Sequence, residues 1–173
     1  MSMAAAIVSW LSPFWTLITT LALLIGFTTV GLSLMAVASG AAEGSHGAQK
    51  VRAGWGGVVI GFLLVNFPGL LSSLSMTVFN ASTQTAIAYT PPGNSQYADI
   101  VHAVLGVMSL LGAYGIIKGL LQLRHAHEHR DLFWSGIRHL IAGIFMVNVV
   151  PFLHLLGVSF GSTLQSVVTN LIG

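Results

Sequence analysis

Long apolar runs alternate with short polar stretches along this chain. Residues 14–38, 56–74, 100–121 and 137–158 are almost continuously hydrophobic. A helix needs about 20 residues at 1.5 Å each to cross a hydrocarbon core of about 30 Å, so each run predicts one spanning helix. Ahead of the first run, residues 3–12 precede Pro13, flanked by Trp10 and Trp15. Tryptophan favours the headgroup level and proline a helix start, so this stretch is expected to be an interfacial segment. The final stretch, GSTLQSVVTNLIG, spaces Leu164, Val167, Val168, Leu171 and Ile172 by threes and fours. That spacing predicts a C-terminal amphipathic helix.

The polar stretches carry nearly all the charge. Lys50 and Arg52 fall in one basic loop, residues 43–53, and the other four cations, Lys118, Arg124, Arg130 and Arg138, fall in and around a His-rich loop, residues 122–136. Elsewhere the one charged residue is Asp99, at the start of the third run. Lys and Arg mark the cytoplasmic side, so both basic loops face the cytoplasm of a bacterial inner membrane and both termini face outward. Only 6% of residues are charged and the mean hydropathy is +0.86, too apolar to cover a soluble core. Six cations are too few for a surface that tracks nucleic-acid phosphates. The absence of cysteine excludes disulfides, thiol catalysis and zinc–thiolate sites. No Lys or Arg opens the chain as a secretory leader would, so the N-terminus is expected to be retained.

The expected fold is all-α and integral to the membrane, with four transmembrane helices arranged as two parallel-repeat hairpins. Residues 1–85 form the first hairpin, 86–98 an outward polar linker with the turn signal Pro91-Pro92-Gly93-Asn94, and 99–173 the second hairpin with its tail. A short internal match supports the repeat. In GFLLVNFPGLL and GIFMVNVVPFLHLL, Gly61 pairs with Gly143, Val65-Asn66 with Val147-Asn148, and Pro68 with Pro151. Upstream, Trp55-Gly56 has a counterpart in Trp134 and Gly136. Two generic hairpins of similar composition are the alternative. Asn66 and Asn148 are costly inside apolar runs unless their amides are paired, which predicts helix packing or, alternatively, a substrate or ion site. Gly57 and Gly61, and Gly115 and Gly119, have the four-residue spacing that lets helices approach closely.

Candidate chemistry is sparse. His125, His127 and His129 form the only dense ligand cluster and a weak candidate metal site, with Glu128 and Asp131 beside them. His102 and His139 lack a fixed spacing to that cluster. Neither a nucleophile–base arrangement nor a phosphate loop is present, so no catalytic residue, enzyme activity or cofactor is expected. No span contains the acidic side chain that ion pumps and proton-coupled transporters usually keep.

GLSLMAVASGAAEGSHGAQKVRAGWGGVVIGFLLVN and its counterpart GAYGIIKGLLQLRHAHEHRDLFWSGIRHLIAGIFMVN each give a Gly/Ala-rich helix, a basic turn and a second apolar helix. That arrangement resembles the conjugative pilin hairpin of type IV secretion systems. The whole chain looks like the small four-span membrane proteins of type IVB secretion and IncI-type conjugation, the TraQ/TraR-like proteins and their Dot/Icm relatives. It differs from a pilin in being doubled. The resemblance implies a structural subunit of a transfer apparatus, in the inner membrane and also in an extracellular pilus if pilin-like. Its partners would be itself, as a homo-oligomer or helical polymer, and other apparatus membrane proteins. The basic residues would then meet phospholipid headgroups, with a bound phospholipid as the one ligand, or translocating DNA. The alternative function is a small transporter or channel with parallel repeats, using Asn66 and Asn148.

Overall fold

A computed structural model describes residues 3–80, 96–126 and 130–160, and every regular element among them is helical. Helix α1 spans Met3–Ala42. A 3₁₀ turn at Gly44–Gly47 leads into α2, Ala48–Val65, and α3, Phe67–Phe79. Then come α4, Gln96–Arg124, α5, Arg130–Val147, and α6, Val149–Phe160.

Two stretches, Ser9–Ala42 of α1 and Ala103–Arg124 of α4, are long and apolar enough to cross a membrane by themselves. The other two apolar runs are each broken. The chain bends by 88° between α2 and α3 and by 84° between α5 and α6, so the spans number two, or four if each bent pair is one span.

The breaks fall at Asn66 and Asn148, the equivalent asparagines of the two repeats. Pro68 and Pro151 follow within the first turn of α3 and α6, where a missing N–H costs little. The runs expected to be single helices therefore stop where asparagine leaves helical geometry, with φ −99° and ψ 41° at Asn66.

Two other expectations are corrected. Residues 3–12 are no separate interfacial segment, because α1 runs unbroken through Pro13. Proline removes one N–H, and in apolar surroundings the chain keeps its other backbone bonds rather than exposing them. The basic residues do not sit in the short polar loops expected for them either. Lys50 and Arg52 lie in the first turns of α2, Lys118 and Arg124 on α4, and Arg130 and Arg138 on α5. Glycine content made these segments look like loops, whereas close helix contact gives the glycines a use inside helices. Helix α4 also begins at Gln96, within the linker expected over 86–98. The Pro-Pro-Gly turn, His127, His129 and the tail beyond residue 160 lie outside the described residues.

The chain divides into two compact units that cut across the hairpins. One combines residues 19–70 with 115–141. Within it, α1 crosses α2 with almost no side chain between them. A Cβ placed on Gly26 would lie 2.6 Å from the Val65 nitrogen, and one on Gly54 would lie 2.9 Å from the Ser33 oxygen. One on Gly47 would overlap the Gly40 carbonyl, at 1.8 Å. Gly26, Ser33 and Gly40 recur every seven residues on α1, and Gly47, the last residue of the 3₁₀ turn, is followed at the same interval by Gly54 and Gly61 on α2. A period of seven keeps one narrow stripe on the seam between two helices. Gly119 of α4 and Gly136 of α5 meet in the same way, each Cβ position 2.8–2.9 Å from the other's carbonyl oxygen.

The other unit holds residues 1–18, 71–114 and 142–173. Here Leu105 and Val149 are buried, with Val101, Met108, Val150 and Leu153 packed around them. Phe145 meets Phe79 edge-on at 5.9 Å and Phe152 at 4.8 Å between ring centroids. Gly112 lies against Val147 and Gly143, its Cβ position 2.6 Å from the Val147 nitrogen and 2.8 Å from the Gly143 oxygen. Gly26 makes the same two distances to Val65 and Gly61. Hydroxyl groups turn back on their own helices: Thr28 donates to Leu24 and Ile25 carbonyls, Thr77 to Ser73 and Ser159 to Leu155. That is how a polar side chain is accommodated on a helix with apolar surroundings.

Candidate functional site

The helix contacts above match between the two hairpins residue by residue. On the first helix of each hairpin, Gly26 corresponds to Gly112 and Ser33 to Gly119, a shift of 86. On the second helix, Gly54 corresponds to Gly136, Gly61 to Gly143, Val65 to Val147 and Asn66 to Asn148, a shift of 82. The difference of four residues is the shortening of the second connection. The glycine paired with Gly136 is therefore Gly54, not Gly56, which has open space around its Cβ position. The seven-residue spacing of small residues was visible in the sequence and is a better guide to this seam than the four-residue spacing of Gly57–Gly61 and Gly115–Gly119. Gly61 and Gly119 do lie on the seam, Gly57 faces the Ser33 hydroxyl, and Gly115 is half-buried.

The two asparagines have different surroundings. Asn148 is buried and its side-chain amide donates to the Ile144 carbonyl, 3.0 Å away, on the preceding helix α5. Asn66 is exposed, and its amide fills the space where a side chain on Gly69 would begin, 2.5–2.6 Å from that Cβ position. Both backbone N–H groups bond four residues back, to Phe62 and Ile144, and both carbonyls accept from four residues on, Leu70 and Phe152. Each asparagine thus keeps the hydrogen bonds of its own N–H and carbonyl at the bend.

The cations separate into two kinds. Lys50 is exposed and forms an ion pair with Glu43 across the turn, worth little at a solvated surface. Arg52, Lys118, Arg130 and Arg138 are exposed too, and Arg138 Nε donates to the Trp134 carbonyl on its own helix. Arg124 differs. It is half-buried at the end of α4, and its Nε lies 3.5 Å from the Cβ position of Gly57.

Beside Arg124 is a cleft of about 170 Å³, within the unit that combines residues 19–70 and 115–141. Leu32, Ser33 and Ala36 of α1 form one wall, Ala53 and Gly54 of α2 another, and Arg124 and His125 the third. The space exists because the α1–α2 seam carries small residues. The His125 Nδ1 lies 3.1 Å from the Leu121 carbonyl, a bond that needs its proton on Nδ1 and leaves Nε2 for other partners. Chemically, the cleft offers a guanidinium, an imidazole and a serine against an apolar background, with no carboxylate among the described residues that line it. That set suits an anion. Among the described residues, no group of His, Asp and Glu is arranged to hold a metal ion, and His139 Nδ1 is engaged with the Ser135 carbonyl at 2.7 Å.

Comparison of the chain with known protein families, with characterised proteins and with solved structures finds no match.

Proposed function

We propose that the chain is a structural, non-enzymatic membrane subunit that acts by packing with copies of itself or with other subunits of a larger apparatus. The resemblance in its hairpins points to conjugative transfer or type IV secretion as the apparatus. In this reading each bent pair is one span, the four spans lie in a bacterial inner membrane, and the Lys/Arg-bearing helix ends face the cytoplasm.

One observation carries the reading. Helix α1 has 40 residues and no charged side chain, so it is about 60 Å long against a hydrocarbon core of about 30 Å. A lone bilayer covers about half of such a helix unless it tilts steeply. Its large side chains are nevertheless exposed along much of its length, with Trp10 at 74%, Phe27 at 61% and Met35 at 71%. Apolar surface beyond what lipid covers is a feature of chains that associate. The seven-residue stripes of small residues support the same reading, because they make rigid hairpins that can be stacked.

The test is particle size after extraction of the native membrane into a mild detergent. The expected result is a particle several-fold heavier than the 18.2 kDa chain, with rings or filaments in cryo-electron micrographs. A monodisperse, fully helical monomer would overturn the assembly reading.

The second reading, a small transporter or channel with parallel repeats, is favoured by the breaks at Asn66 and Asn148. Helices interrupted at corresponding positions of two halves are a recurring feature of transport sites. Ion or solute flux through purified protein in liposomes would support it, and sealed vesicles would remove it.

A further inference from the structure

Helix α4 leaves one narrow stripe uncovered. From Ile100 to Tyr114 its exposed residues are Ile100, Val104, Val107, Leu111 and Tyr114. Every other residue whose side chain is described in that stretch is buried or half-buried. We propose that two copies of the chain meet along this stripe, side by side in one membrane, with their Tyr114 hydroxyls bonded to each other. The proposal rests on the assembly reading and names a surface for it.

Spacing comes first. The five residues are separated alternately by four and three positions. That alternation averages 3.5, the period at which a helix keeps one side against a parallel neighbour. Helix α1 is different. Leu21, Leu23 and Leu24 are all exposed and point in different directions around its axis, so its uncovered face is wide. The slot on α4 has the width of a single helix contact.

Shape comes second. Along the stripe, Ala103, Val104, Val107 and Met108 surround a hollow of about 270 Å³ with apolar walls. Four neighbouring residues of one helix form the kind of hole into which a side chain of a facing helix inserts. Ala103, with a single side-chain carbon, leaves the room.

Tyr114 decides the occupant. It is 60% exposed and lies about 15 Å from either end of the span Ala103–Arg124. Tyrosine ordinarily sits at the headgroup level, where its hydroxyl meets water. From the middle of the span the hydroxyl reaches neither interface, and hydrocarbon offers it no partner. Acyl chains therefore cover the four aliphatic residues well and Tyr114 badly. A second copy covers all five. Copies in one membrane share an orientation, so a two-fold axis along the membrane normal brings each residue to its equivalent at the same depth. A phenol both donates and accepts, so one Tyr114 hydroxyl donates to the other.

The experiment is oxidative cross-linking of the full chain in its native membrane. The chain has no cysteine, so single replacements report one position each. Val104→Cys, Val107→Cys and Leu111→Cys are expected to give a disulfide-linked dimer in several-fold higher yield than Met108→Cys and Leu110→Cys, which flank the stripe. Yields at 107 and 111 no higher than at 108 and 110 overturn the proposal. No cross-link at any of the five means that lipid covers the stripe, and overturns it as well. A second measurement uses energy transfer between labelled chains in liposomes diluted with lipid. Tyr114→Phe, which keeps the ring and removes the hydroxyl, should weaken the dimer about threefold, the scale of one interhelical hydrogen bond in a membrane. Wild-type association in folded Tyr114→Phe also overturns the proposal, with folding read by circular dichroism. A large particle without cross-links on α4 would sink this surface and leave the assembly reading standing, whereas a monomer in the membrane would remove both.

Discussion

Replacing Gly26 with alanine tests the account of how each hairpin is held. The new Cβ would lie 2.6 Å from the Val65 nitrogen, 2.8 Å from the Gly61 oxygen and 2.9 Å from Val65 Cγ2. Two of these are backbone atoms that cannot swing aside. The α1–α2 seam must open by roughly 0.5–1 Å, enough to forfeit a quarter to a half of the dispersion attraction across it. Overpacking of this kind costs about 1–3 kcal/mol, and alanine's better helix propensity returns up to about 1 kcal/mol. With that return the net loss is up to about 2 kcal/mol, or up to roughly 8 °C in Tm for a chain of this size. Gly112→Ala should lose the same amount, because its Cβ meets the equivalent nitrogen and oxygen at 2.6 and 2.8 Å. Gly31→Ala on the same helix has nothing within 4 Å of its Cβ and should instead gain up to about 1 kcal/mol. Thermal unfolding in detergent, followed by circular dichroism and the fluorescence of the four tryptophans, measures all three. If Gly26→Ala melts at or above Gly31→Ala, or if Gly26→Ala and Gly112→Ala shift in opposite directions, the seam and the duplication are wrongly understood.

The remaining predictions use the same chain and simple assays. Gly47→Ala should be the most damaging glycine substitution, at or above about 3 kcal/mol, because its Cβ would overlap the Gly40 carbonyl at 1.8 Å; a Tm loss smaller than that of Gly26→Ala would contradict this. Asn148→Ala removes a buried amide and its bond to Ile144, for about 1 kcal/mol, and should destabilise more than Asn66→Ala, whose side chain is exposed. The reverse order would show that the exposed break is the one under load. The chain has no cysteine, so single cysteines at positions 50 and 130 can be labelled selectively in cells. An impermeant maleimide should reach them only after the inner membrane is opened, and labelling in intact cells would reverse the orientation.

Helical content, the apolar runs and the equivalence of Asn66 with Asn148 were legible in the sequence. They depend on local composition and on residues close together in the chain. Apolar runs in a chain with 6% charged residues leave the backbone little choice but to satisfy itself within helices. Other features required the partner helix to be in place. Pro13 reads as a boundary because a proline ring disfavours helix locally, yet α1 continues through it. The segments around Lys50 and Arg130 read as loops because glycine and polar residues favour turns, yet they are helix starts. Glycine at positions 54 and 61 weakens α2 in isolation and becomes useful only when Ser33 and Gly26 of α1 come within contact distance. The Arg124 cleft was equally hidden, since its walls come from positions 32–36, 53–54 and 124–125. Local propensity acts over a few residues, whereas close packing and a cleft depend on which backbones meet. The sequence by itself determined an apolar helical chain of two similar halves. Only the tertiary structure decided which small residues form the seams, where the spans bend, and that Arg124 lines a hollow.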